Sequence, residues 1–172
     1  MQDNGDGKIR DTQPMGMSKQ DIPSSFFIRP VFLSLTIGVP FCLYKILFGI
    51  QCTRAAEIHS QFLFWYAGWV LILWAGADMM MNLTRAGFDL IGKADLIEFC
   101  TLAQIGRGMN ASLIFLSLDT LITFTIICLA LWSGWIVYLN QIESYLWYTA
   151  TTLNLISLSL VSLWTEIRRK KG

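Results

Sequence analysis

Three charged side chains interrupt the long apolar stretches of this sequence. Lys45, Asp78 and Asp119 each lie among residues that are mostly apolar or small. A charge at the centre of a membrane costs about 3 kcal/mol on insertion scales, so such a residue normally faces other helices or water. Two aspartates held close together can line a path for protons or cations, whereas separate aspartates accept hydrogen bonds and fix helix packing. Both hypotheses stay open at this point.

The side chains that build other catalytic or metal sites are scarce. His59 is the only histidine, which argues against haem held by two histidines and against histidine-rich metal sites. The four cysteines, Cys42, Cys52, Cys100 and Cys128, have no CxxC spacing, so we expect no disulfide-exchange chemistry. Phosphate-binding glycine loops and nucleic-acid-binding motifs are not found. The sequence therefore predicts a protein that is not an enzyme, with no catalytic residue, cofactor, metal site or nucleic-acid partner.

The elements that carry the three charged residues follow from composition. Hydrophobic residues make up 54% of the chain and charged residues 15%, whereas soluble domains carry about 25% charged residues. The apolar residues come in runs of roughly 20, which is the length that a helix needs to cross a ~30 Å hydrocarbon core. Four runs are predicted to be transmembrane helices, at 30–50, 62–82, 111–139 and 145–165. They predict an all-α bundle, residues 30–172, that follows a polar cytoplasmic tail, residues 1–29.

Basic residues orient these four helices. Of the thirteen lysines and arginines, eleven fall in the N-terminal tail, the middle loop or the C-terminus, Arg54 falls in an outer loop, and Lys45 is embedded. Cytoplasmic loops of membrane proteins carry an excess of Lys and Arg, so both termini are predicted to be cytoplasmic. We expect a multi-pass protein of a bacterial inner membrane, with an organellar membrane as the alternative.

This topology predicts how deep each charged residue lies. By helix rise, Asp78 is about four residues, or ~6 Å, from the inner end of its run, and Asp119 about eight residues, or ~12 Å, from the inner end of the next. Both carboxylates are therefore predicted in the inner half of the membrane. Lys45 falls in the outer half of its run and is predicted to be the poorer partner for either aspartate. Hydrogen bonds from Asn82, Thr120, Thr123 or the fourth run are the expected alternative.

The middle loop carries a different pattern. From Phe88 to Ile105 the apolar residues recur at intervals of mostly three to four, and the set includes Phe88, Leu96, Phe99 and Leu102. This spacing predicts one amphipathic helix on the inner face, between the second and third transmembrane helices. Such a helix would dock on the bilayer surface or on another subunit. The alternative is a simple connector.

The leading functional hypothesis is a non-catalytic membrane subunit of a larger assembly, such as a secretion, transfer or respiratory machine. The absence of catalytic motifs, the short loops and the many hydroxyl side chains of the fourth run favour it. Its expected partners are the lipid bilayer and other membrane subunits. The alternative is a small ion or solute channel or transporter, forming a homo-oligomer, that uses Asp78 and Asp119.

Overall fold

The computed structural model describes residues 29–91 and 100–171, and all regular elements within these ranges are helices. Helix α1, a π-helical turn and α2 continue into one another and form a single rod, called the central helix below: Pro30–Leu33, Ser34–Gly38 and Val39–His59. The other elements are α3, Phe62–Leu90; α4, Thr101–Gly108; α5, Ser112–Trp132; a 3-10 turn, Trp135–Tyr138; and α6, Gln141–Lys171.

Four helices are long and apolar enough to cross a membrane, which confirms the all-α class and the four candidate spans. Their bounds are Val31–Ile58, Phe62–Leu90, Ser112–Trp132 and Gln141–Ile167. Three of them extend past the apolar runs, because residues such as Gln, Arg, Ala and Glu continue a helix well. The third ends earlier than its run, because Gly134 adopts a φ of 71° just after the last turn of α5. A left-handed glycine at this position ends a helix.

Long helices that follow one another along the chain run in opposite directions. The backbone N–H of Val31 donates to Asp89 Oδ2, which places the beginning of the central helix beside the end of α3. At the other end, Arg54 of the central helix pairs with Glu143, near the beginning of α6. We name the first of these two ends the basic end, because most of the lysines and arginines within residues 29–91 and 100–171 lie toward it, and the second the hairpin end.

The central helix forms the middle of the bundle. Helices α3, α5 and α6 each pack against it more extensively than against one another. The buried core consists of Phe41, Tyr44, Leu47, Ala130, Trp147 and Ala150. Within it the rings of Tyr44 and Trp147 meet edge to face, with centroids 4.9 Å apart, an arrangement that aromatic pairs favour. Each outer helix therefore has one buried face and a broad exposed one.

The central helix and α3 are in backbone contact where two glycines face each other. A Cβ atom on Gly68 would lie 2.7 Å from the carbonyl oxygen of Gly49, and one on Gly49 would lie 2.9 Å from that of Gly68. Only residues without a side chain allow this approach, which is common between membrane helices. This contact holds α3 close to the central helix and brings its buried face, with Asp78, against Lys45.

The middle loop differs from the predicted amphipathic helix. Phe88 belongs to α3, which continues to Leu90 because no proline interrupts it and because its last turns pack against the beginning of the central helix. Leu96 and Phe99 lie outside the described residues. Leu102 is half-buried in the short α4, which packs mainly on α5. The prediction of one helix that runs without a break from Phe88 to Ile105 is therefore wrong.

Candidate functional site

Lys45 lies fully buried between the two aspartates. Its Nζ is 2.5 Å from Asp119 Oδ1 and 3.3 Å from Asp78 Oδ2, and the exposed fraction of its side chain is 0%. The expectation that Lys45 would be the poorer partner is therefore wrong. We call Lys45, Asp78 and Asp119 the charged triad. It joins three of the four long helices at one point.

The error has two physical causes. The central helix continues to His59, so Lys45 lies near its middle and not near its outer end. In addition, side chains on a helix tilt toward its N-terminus. For Lys45 this direction leads toward the basic end, where Asp119 and Asp78 lie. Asp78 is itself deeper than predicted, since α3 extends to Leu90, which is twelve residues or roughly 18 Å further along.

Asp78 is held by the first residue of α4 as well as by Lys45. Its Oδ1 accepts hydrogen bonds from the backbone N–H of Thr101, at 2.7 Å, and from the Thr101 hydroxyl, at 2.8 Å. A carboxylate at a helix N-terminus is stabilised by free N–H groups and by the helix dipole. Trp74 Nε1–H donates to the same hydroxyl at 2.8 Å, and the Trp74 ring lies 4.7 Å from Lys45 Nζ.

Thr101 was not predicted as a partner of the triad. The only local signal is Cys100, whose own backbone is extended and whose thiol accepts a hydrogen bond from the N–H of Ala103 as an N-cap. Burial raises the pKa of the Cys100 thiol to about 11. The beginning of α4 thus lies inside the bundle.

The side chains that were predicted to donate hydrogen bonds to the two carboxylates donate to backbone carbonyls instead. Asn82 Nδ2 donates to the backbone carbonyl of Asp78, and the Thr123 hydroxyl donates to the backbone carbonyl of Asp119. Thr120 donates to the carbonyl of Leu116. These are bonds to a carbonyl four residues earlier in the same helix, which is a usual choice for threonine. Lys45 donates hydrogen bonds to both carboxylates instead, and Thr101 donates to Asp78.

A cavity of about 220 Å³ lies beside the triad, toward the basic end. Its polar lining consists of Asp78, Asn82, Asp119 and Thr120, together with the thiols of Cys42 and Cys100. The remaining wall is apolar. Every lining residue lies level with the triad or between it and the basic end of its helix.

A second ion pair lies near the hairpin end. Arg54 Nη1 and Nη2 donate to the two carboxylate oxygens of Glu143, at 2.8 and 2.5 Å. Glu143 also accepts a hydrogen bond from the backbone N–H of Asn140, and Asn140 Oδ1 accepts one from the N–H of Glu143. This reciprocal capping box begins α6 at Gln141. The spacing Asn-x-x-Glu was the available sequence signal for it.

Among residues 29–91 and 100–171, no group of three or more His, Cys, Asp or Glu side chains is placed to hold a metal ion. The cysteines of these ranges are unpaired, and Cys42, Cys52 and Cys100 are buried.

No protein-family model matches this sequence, and no curated protein or solved structure matches it either. Function is therefore inferred from the geometry of the triad, its cavity and the outer helix faces.

Proposed function

We propose that this chain is a non-catalytic membrane subunit of a larger assembly, with four transmembrane helices and both termini in the cytoplasm. The observation that carries this proposal is the arrangement of the outer helices. Helices α3, α5 and α6 pack on the central helix and leave the spaces between one another largely without direct helix contacts. Additional membrane helices would complete such a bundle.

The composition of the exposed faces supports the proposal. On α6 the exposed side chains include Thr149, Thr152, Ser159 and Ser162, along with large apolar residues. A hydroxyl that faces lipid tails finds no hydrogen-bond partner there. Against another helix it allows close packing and hydrogen bonds across the contact. These positions therefore suit a neighbouring subunit better than lipid.

The charged triad supports a structural role for the interior. A buried lysine with two carboxylates adds little stability compared with apolar residues of the same size, but it selects one arrangement of the helices that share it. Here the shared helices are the central helix, α3 and α5, and Thr101 adds α4. A subunit that must present fixed outer faces needs this kind of internal alignment.

The experiment is native mass spectrometry of the full chain, extracted from its own membrane in mild detergent. We expect a complex of fixed stoichiometry with other integral membrane proteins. Changing Thr152 and Ser159 together to Leu should release these partners, because bulk and lost hydroxyls disturb the contact. The same change at Thr84, an exposed residue near the basic end of α3, serves as the control. Recovery of the chain only as a monomer or homo-oligomer would contradict the proposal.

The proposed orientation has its own test. The four basic residues 168–171 follow the last span, and such residues are retained in the cytoplasm. A reporter fused after Gly172 is expected to be active in the cytoplasm, and one inserted between Ser60 and Gln61 outside it. Accessibility of the C-terminal reporter from outside would contradict the orientation.

A second candidate function is the transport of ions or small solutes. The observation that favours it is the cavity, which reaches both Asp78 and Asp119. If these residues conduct protons or cations, Asp78→Asn and Asp119→Asn should abolish flux in reconstituted vesicles while the protein stays folded. If the chain is an assembly subunit, both variants should retain function, because either one leaves Lys45 paired with the other aspartate. Loss of flux in the Asn variants would favour transport over the role as an assembly subunit.

A further inference from the structure

The proposed assembly role does not account for the cavity beside the charged triad. Its volume of about 220 Å³ far exceeds the roughly 30 Å³ that one water molecule occupies in the liquid. It lies among the central helix, α3, α4 and α5, with the triad at one side. The space therefore has room for a small organic molecule.

One carboxylate oxygen at this cavity has no donor among the described residues. Asp119 uses Oδ1 for Lys45, and no described residue donates to its second carboxylate oxygen, Oδ2. The Asp119 side chain lines the cavity and keeps 8% of its surface exposed. A ligand that pairs with Oδ2 must supply an N–H or O–H donor.

The charge of the triad selects among such ligands. With both aspartates ionised and Lys45 protonated, the triad carries one net negative charge. The next ionisable groups along α3, Arg85 and Asp89, do not line the cavity. A bound monovalent cation would bring the charge of the site to zero, and buried charges in proteins are normally paired. The donors should therefore belong to a positively charged group.

The rest of the wall determines the body of the ligand. Leu33, Ile37, Phe41 and Leu116 form much of the remaining lining. Pockets of this type bury apolar ligand surface and use a few polar groups to fix orientation. A hydrated metal ion would leave these side chains without a partner, whereas an aliphatic chain would cover them.

We propose that this cavity binds a small lipophilic ammonium ion. Its –NH3⁺ group donates to Asp119 Oδ2, and its apolar body packs against Leu33, Phe41 and Leu116. The site lies inside a single chain, so this binding does not depend on the proposed assembly.

The test measures binding to the full chain in lipid nanodiscs by isothermal titration calorimetry, with protein-free nanodiscs subtracted. The probe is n-hexylamine, and n-hexanol is the uncharged match of nearly the same size. We expect saturable binding of hexylamine with one site per chain. Hexanol should bind about tenfold more weakly or worse, because it lacks the charge-assisted hydrogen bonds. Equal binding of both compounds, or no saturable binding of hexylamine, would overturn the proposal.

Two pairs of variants locate the site. Leu116→Trp fills the cavity and should abolish saturable binding, whereas Leu118→Trp changes an exposed residue two positions away on α5 and should preserve it. Asp119→Asn removes the paired charge and should weaken binding about tenfold or more. Glu57→Gln removes an exposed carboxylate elsewhere and should have no effect. Unchanged binding by Leu116→Trp would overturn the proposal, and this pair decides even where Asp119→Asn fails to fold.

Discussion

Two sets of charged contacts between helices can be compared in the described part of the bundle, one in its middle and one near the hairpin end. In the charged triad, Lys45 is fully buried and is shared by two carboxylates from different helices. In the second set, Arg54 is 40% exposed and forms a bidentate contact with Glu143 alone, whose side chain is buried. Both sets bring a basic residue of the central helix to acidic residues of its neighbours. They differ in access to water.

This difference changes what each set contributes. Exposed ion pairs add about 0.2–1 kcal/mol, and a loss of this size is expected when Glu143 is changed, because water solvates the exposed Arg54 that remains. A buried charge that loses its partners has no such compensation, and its removal typically costs 3–5 kcal/mol. The triad thus specifies which helices meet and penalises every other arrangement, whereas the Arg54–Glu143 pair only adds to a contact that the capping box of α6 already supports.

The largest expected effect comes from Lys45→Met, which keeps an unbranched side chain one atom shorter than lysine and leaves two buried aspartates without their cation. The variant should lose about 3–5 kcal/mol of stability. Thermal unfolding in detergent, together with abundance in the membrane, measures this loss. Adding Asp78→Asn and Asp119→Asn to the same chain should restore part of it, since no charge then remains at the triad. A Lys45→Met protein as stable as the parent would show that the triad is not buried.

The next effect tests how α4 is joined to the triad. Thr101→Val removes the hydroxyl that donates to Asp78 and accepts from Trp74, but it keeps the backbone N–H bond. We expect a loss of about 1.5–3 kcal/mol, the usual value for a hydrogen bond to a charged group. The matched control is Thr84→Val, whose hydroxyl is exposed and bonds within its own helix. Equal unfolding temperatures of the two variants would contradict the contact.

A smaller effect is expected at the hairpin end. Glu143→Gln removes the charge that Arg54 contacts and keeps an oxygen for the capping box, so it should lose only about 1 kcal/mol. Raising the salt concentration should reduce the difference from the parent protein, since screening acts on exposed charges. The loss caused by Lys45→Met should not respond to salt in this way. A Glu143→Gln loss as large as that of Lys45→Met would remove the distinction between the two sets.

The sequence predicted the helices better than it predicted their contacts. Long apolar runs depend only on local composition, and four helices able to cross a membrane follow from them. Where each helix ends was less predictable, because the central helix continues to His59 through polar residues, and that extension changed the depth assigned to Lys45. The contact of Thr101 with Asp78 joins the first turn of α4 to a residue of α3 that lies 23 positions earlier, and no local pattern encodes such a separation.

The smallest expected effect distinguishes an inserted α4 from a helix lying on the membrane surface. Cys100 is 3% exposed at the beginning of α4, and burial raises the pKa of its thiol to about 11. The thiolate is the reactive form, so a raised pKa leaves little of it at pH 7. In a chain with serine at the other three cysteines, Cys100 should react with a maleimide far more slowly at pH 7 than after unfolding, and faster as the pH rises toward 11.

The control for this labelling is a cysteine introduced at Gln104, one turn further along α4 and exposed. It should react at nearly the rate of the unfolded chain, because water reaches it in the folded protein. A helix lying on the membrane surface would expose both positions and give similar rates, and the contact between Thr101 and Asp78 would then be absent. A slow Cys100 beside a fast residue 104 is expected only if the first turn of α4 enters the bundle at the charged triad.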